Sequence, residues 1–218
     1  MKLCPEGWPF VLGSGGVDLA FAVLAHSTGN VGVWVAVGIL FVFTVFCAYF
    51  FRDPQRTLPL DDQRILSPAD GKILDIAQEK HPETGDPMHV IRIFLSVFEP
   101  HLQRSPIRGH IKTVLYKPGK FLDARDPRAP FENEQNWMDI LPVNKKINGR
   151  VTVTQIAGLI ARRIVCDFQS DRPVNQGQRL GLIRFGSQVD IAFPTSLKLT
   201  VKLGDFVQTG LTTLAEVL

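Results

Sequence analysis

The stretch GLIRFGSQVDIAFP (residues 181–194) decides how the rest of the chain is read. Leu182, Ile183 and Phe185 on one side and Val189, Ile191 and Phe193 on the other are the residues of a buried strand, yet Gly186 and Ser187 interrupt them. A glycine inside a strand pattern signals a β-bulge or a close backbone approach. A bulge is the first expectation, with Ser187 as its hydroxyl. Further out, VTVTQIA (151–157) and LKLTVKL (197–203) alternate with period two, the second placing Leu197, Leu199, Val201 and Leu203 on one face. HVIRIFLSVF (89–98) is apolar almost throughout, as a strand covered on both faces would be. Residues 65–218 are therefore expected to form a mostly β domain.

Between Lys117 and Lys146 the pattern fails, and four prolines, mixed charges and scattered Phe121, Phe131 and Trp137 predict a long functional loop. SPADGKILDI (67–76) and VKLGDFVQTGLTTLAEV (201–217) resemble the two halves of a barrel-sandwich module of the biotinyl/lipoyl type, with Asp-Gly and Gly-Asp corners. No short hairpin carrying an exposed lysine separates them, so the echo points to a barrel-sandwich-like fold and not to a carrier.

The N-terminus has a different character. No Asp, Glu, Lys or Arg occurs between Leu19 and Phe51, and VGVWVAVGILFVFTVFCAYFF (31–51) is long enough to cross a bilayer. PFVLGSGGVDLAFAVLAH (9–26) is interrupted by Gly13, Gly15, Gly16 and Asp18, a weaker span that could also be re-entrant or interfacial. A transmembrane helical hairpin turning at residues 26–30 ranks ahead of a cleaved signal, because Asp18 sits where an apolar stretch should be. The expected organisation is an anchor over 1–51, a Pro- and charge-rich linker over 52–64 and a soluble domain over 65–218. Arg52 and Arg56 directly after the strong span place that domain on the cytoplasmic face of the cell's inner membrane by the positive-inside rule.

Lys+Arg number 24 against 21 Asp+Glu, with no concentrated basic face, which argues against a nucleic-acid partner. Cys4, Cys47 and Cys166 are too few and too scattered for a metal cluster or a disulfide framework. No metal is expected.

Three short stretches carry the candidate chemistry: SPADGKI (67–73), FLSVFEPHLQRSPIRGHI (94–111) and RFGSQVD (184–190). Taken singly, Asp70 is a turn residue, His101 a half-buried histidine and Ser187 a bulge hydroxyl. Together they are the three groups that activate a hydroxyl, a base to take the serine proton and a carboxylate to orient the base. The sequence around Ser187 lacks the G-x-S-x-G elbow of a hydrolase.

The ordered set FFRDPQR, SPADG, PHLQRSPIRG, NEQN, QIAGLIARRIV and RFGSQVD behind an apolar N-terminus resembles the phosphatidylserine decarboxylase proenzymes of the short, archaeal-type branch, from about Phe50 to the C-terminus. That resemblance implies self-cleavage between Gly186 and Ser187, giving a large chain (1–186) and a small chain (187–218) that remain together as a heterodimer. Ser187 would attack the Gly186 carbonyl to form an ester, and elimination and hydrolysis would leave a covalent pyruvoyl group, the cofactor, in its place. It further implies a Schiff base between this group and phosphatidylserine, with loss of CO2 to give phosphatidylethanolamine in phospholipid biosynthesis. His101 would be the base, with Asp70 orienting it. Another branch has a second histidine where this chain has Arg104, which could instead meet the lipid phosphate. Membrane lipid is the expected surroundings.

Two other readings compete. A membrane-anchored barrel-sandwich adaptor without catalytic activity would explain the anchor but not the Asp70, His101 and Gly186-Ser187 set. A membrane serine hydrolase would remain one intact chain.

Overall fold

The computed structural model describes residues 2–59, 61–160, 163–184 and 186–218. The chain divides into two compact units, residues 1–55 and 56–218.

In the first unit, helix α1 (Trp8–Thr28) and helix α2 (Val31–Phe50) form a hairpin. Gly29 closes α1 in the left-handed region at φ 62°, which a residue without Cβ adopts freely. Asn30 then caps α2, its side chain accepting from the Gly32 N–H at 2.8 Å. Between the helices, Thr44 Oγ1 donates to Ser14 Oγ at 2.8 Å. Both helices are long and apolar enough to cross a membrane, and their apolar side chains are largely exposed, Leu19, Ile39 and Val42 each by about two thirds.

The second unit is mostly β. An eight-stranded antiparallel sheet runs in the order Arg172–Val174, Gly109–Lys117, Gln135–Pro142, Val151–Ala157, Ser187–Pro194, Pro87–Leu95, Gly71–Lys80, Phe206–Val207. One three-stranded sheet joins Ile164–Cys166, Arg179–Ile183 and Leu102–Arg104. Another joins Lys198–Leu199, Thr213–Glu216 and Arg64–Leu66. One core, which includes Ile91, Ile93, Met138, Val153, Ile183, Val189, Ile191 and Leu214, lies among them.

Several expectations change here. GLIRFGSQVDIAFP is not one bulged strand: a strand in the small sheet ends at Ile183, another in the large sheet begins at Ser187, and Gly186 lies in the bend between them. The apolar residues on both sides are buried because each strand contributes separately to the same core. Phe185 lies outside the described residues. The loop expected over 117–146 is shorter, because Gln135–Pro142 is a strand of the large sheet and Ala129–Glu132 a single helical turn. Its prolines mark boundaries, Pro142 ending the strand and Pro130 sitting in the first turn, where a missing N–H costs nothing. LKLTVKL forms a strand only at Lys198–Leu199. Val151–Ala157 alternates in sequence but is buried on both faces, Thr152, Thr154 and Gln155 included. The two segments resembling half-modules do pair: Phe206 lies opposite Lys72 and Val207 opposite Gly71, and the Ile73 N–H donates to the Asp205 carbonyl at 2.9 Å.

Candidate active site

Ser187 is the first residue of one of the two central strands of the large sheet, opposite Leu95 on one neighbour and Ala157 on the other. It is completely buried, and its Oγ has no hydrogen-bond partner among the described residues. An unbonded buried hydroxyl forfeits about 1–3 kcal/mol of solvation, a cost that reaction chemistry at that atom would explain. Gly186 before it sits at φ 71°, where a side chain would strain the backbone.

His101 is brought to this residue pair by the short sheet. It directly precedes the Leu102–Arg104 strand, and its own carbonyl accepts from the Ile183 N–H at 3.3 Å. The imidazole is fully buried. Its Nε2 accepts from the Gly186 N–H at 3.0 Å, and its Nδ1 lies 2.9 Å from the Glu99 carbonyl. A carbonyl only accepts, so Nδ1 carries the proton and Nε2 keeps its lone pair toward the Gly186-Ser187 segment. This is the protonation state a base at that position requires.

Asp70 lies at the same end of the large sheet, just before Gly71, whose neighbour Lys72 pairs with Phe94. Its carboxylate receives Arg56 in a two-pronged pair, Nη2 to Oδ1 at 2.7 Å and Nη1 to Oδ2 at 3.0 Å. Arg56 Nη1 also reaches the Thr209 carbonyl at 3.0 Å. Sequence reasoning used Arg56 only as a charge flanking the membrane. No local signal ties it to a carboxylate fourteen residues away. Arg104 lies in the short sheet opposite Arg179, and its Nη1 donates to the Gly177 carbonyl at 3.1 Å.

A cavity of about 310 Å³ opens beside Gly186. Phe94, Val97, Leu159 and Ile160 make its lining largely apolar, and Arg125 contributes a guanidinium. Arg125 is paired with Asp123 at 2.7 Å, which holds the Asp123 carboxyl below the usual carboxylate range. Neither Arg125 nor this cavity was singled out from sequence, since both lie in the irregular stretch before the Ala129 turn and at the end of a strand.

Around Gly186 the structure thus places a buried serine hydroxyl in the next residue, an imidazole whose Nε2 accepts from the glycine N–H, and a largely apolar cavity alongside. The family model for phosphatidylserine decarboxylase matches residues 43–215. The phosphatidylserine decarboxylase proenzyme of Geotalea uraniireducens (strain Rf4) is 41% identical over 213 residues, covering 97% of this chain and 95% of that protein. The proenzyme of Geobacter sp. (strain M21) is 40% identical over 209 residues, covering 96% and 94%. The chain belongs to the phosphatidylserine decarboxylase family, and it is a decarboxylase of phospholipid biosynthesis.

Proposed function

We propose that the protein matures by cutting itself between Gly186 and Ser187 and then decarboxylates phosphatidylserine to phosphatidylethanolamine through a pyruvoyl group derived from Ser187. The observation that carries this reading is the buried Ser187 Oγ with no hydrogen-bond partner among the described residues, next to a glycine at φ 71° whose N–H is held by His101 Nε2. The residues present fit the group: a serine at this position supplies its carbon skeleton, and burial keeps water from a reactive carbonyl.

His101 Nε2 turns its lone pair from the Gly186 N–H to the Ser187 hydroxyl and accepts its proton as Oγ bonds to the Gly186 carbonyl carbon. The carbon–nitrogen bond then breaks, and the proton passes to the leaving amine, giving an ester. Removal of the Ser187 α-proton expels the Gly186 carboxylate from Cβ, and hydrolysis of the resulting enamine releases ammonia. The Glu99 carbonyl at 2.9 Å holds His101 Nδ1 during this step, and Asp70, paired with Arg56, completes the proposed set. In the mature enzyme the pyruvoyl group serves as the electron sink for decarboxylation. His101 remains placed to return a proton after CO2 leaves.

The cavity beside Gly186 takes the headgroup. Arg125 is the cation at its wall, and the lipid phosphate is assigned there in preference to Arg104, which is turned to the Gly177 carbonyl. The hairpin of α1 and α2 anchors the protein in the inner membrane, with residues 56–218 on the cytoplasmic side, as Arg52 after α2 favours.

Intact-mass measurement of the purified protein beside Ser187→Ala tests this. The expected result is two chains, 1–186 and a small chain lighter than residues 187–218 by the mass of ammonia, with the variant uncut. One intact chain in both samples would overturn the pyruvoyl reading.

A further inference from the structure

We infer that Gly158, held in place by Asn133, is a positioning residue for self-cleavage, keeping the oxygen side of the Gly186 carbonyl clear for the attack. This rests on the self-cleavage reading above. A Cβ added at Gly158 would lie 2.3 Å from the Gly186 carbonyl oxygen and 3.2 Å from its carbon. The φ of Gly158 lies outside the left-handed region, so conformation does not demand glycine there; space does. The atoms it would strike belong to the peptide that Ser187 must attack. As that carbon becomes tetrahedral, its oxygen leaves the peptide plane and gathers charge, and its surroundings must already accommodate the new position. A hydrogen on Gly158 leaves that room and a methyl group removes it.

The neighbour is not loosely placed. Gly158 is buried and follows Ala157, the residue opposite Ser187 in the sheet. Fully buried Asn133 fastens Ala157: its Nδ2 donates to the Ala157 carbonyl at 2.8 Å and to the Leu122 carbonyl at 3.0 Å, while its Oδ1 accepts from the Leu122 N–H at 2.9 Å. The Ala157 N–H donates to the Glu134 carbonyl at 2.9 Å. Asn133 thus ties the strand end that presents Gly158 to Gly186 by one hydrogen bond, while two bonds to Leu122 hold its side chain in place. This gives the NEQN segment a role that its place outside the Ser187, His101 and Asp70 set did not suggest.

The test is the rate of self-cleavage of Gly158→Ala in the full-length protein, read by intact mass with and without hydroxylamine, which cleaves an ester to a Gly186 hydroxamate and a chain beginning with Ser187, its hydroxyl released. The inference expects at least a tenfold slower cut both with and without hydroxylamine, because the ester forms more slowly. Cleavage at the wild-type rate, or rapid cutting by hydroxylamine, overturns it, the latter placing the block after the acyl transfer. Thermal unfolding of Gly158→Ala in the Ser187→Ala background reports whether the fold survives. If the transition is lost, Asn133→Asp decides, since it keeps the Oδ1 acceptor and removes the amide donor to the Ala157 and Leu122 carbonyls. A tenfold slowing with a cooperative transition supports the inference, and wild-type cleavage overturns it. An uncut wild-type chain would instead sink the self-cleavage reading itself.

Discussion

At the scale of single residues, the site is framed by groups whose burial changes their chemistry. Asp190, three residues into the strand that Ser187 begins, is raised from 3.8 to about 7, chiefly by desolvation. A bond from Gln188 Nε2 at 2.6 Å and the charge of Arg92 pull the other way, and the nearby charges of Glu79 and Asp75 raise it further. The native carboxyl therefore holds its proton at pH values where the unfolded chain has lost it. Between about pH 4 and 7 the native state binds more protons, so stability falls as pH rises through that window and levels off above it. Asp190→Asn is expected to flatten this dependence in unfolding midpoints measured from pH 4.5 to 8. An unchanged slope would assign the effect to other groups. Of the site itself, Ser187, Gly186, His101 and Asp70 stand out from sequence only together, as a set able to activate a hydroxyl within ordered motifs that resemble one family. Arg56, Asn133 and Gly158 do not, because each matters through one partner distant in the chain or through the absence of a side chain.

At the scale of elements, the clearest sequence signal was the charge-free run that became α2, since twenty apolar residues leave little else to decide. Gly29-Asn30 as the turn of the hairpin follows from ordinary capping chemistry. If α2 crosses the bilayer, Ile39→Lys places a charge near its centre at a cost of about 3 kcal/mol. Part of the protein should then move from the membrane pellet to the carbonate-soluble fraction, and an unchanged distribution would show that α2 is not held in the hydrocarbon. Strands were legible where β-branched residues were dense, as in Val151–Ala157 and Pro87–Leu95. Gln135–Pro142 was hidden because Asn136, Trp137 and Asp139 dilute the pattern. It forms because Met138 and Ile140 enter the core and a neighbour stands ready on either side.

At the scale of the whole molecule, the proposed cut before Ser187 would leave the small chain's first strand between Val151–Ala157 and Pro87–Leu95, both in the large chain. Val189, Ile191 and Phe193 remain in the common core, as do Val207 and Leu214 further along. The two chains are expected to co-elute in native size exclusion and to separate only in denaturant. Release of residues 187–218 under native conditions would contradict that account. Gly186 lies between two sheets, so the proposed cut would sever a connection at the end of the ladder and leave the pairing from Gln188 to Pro194 in place.

The sequence by itself determined the apolar hairpin, the mostly β character of residues 65–218, the family and the residue types able to do the chemistry, because composition, periodicity and ordered motifs are local properties of the chain. Only the tertiary structure decided that GLIRFGSQVDIAFP is divided between two sheets, that His101 Nε2 accepts from the Gly186 N–H, that Arg56 holds Asp70 and that Gly158 borders the Gly186 carbonyl. Each of these depends on strand register and on which backbone lies next to which. Those relations are set by the packing of a shared core among segments far apart in the chain, and no window of sequence contains both partners.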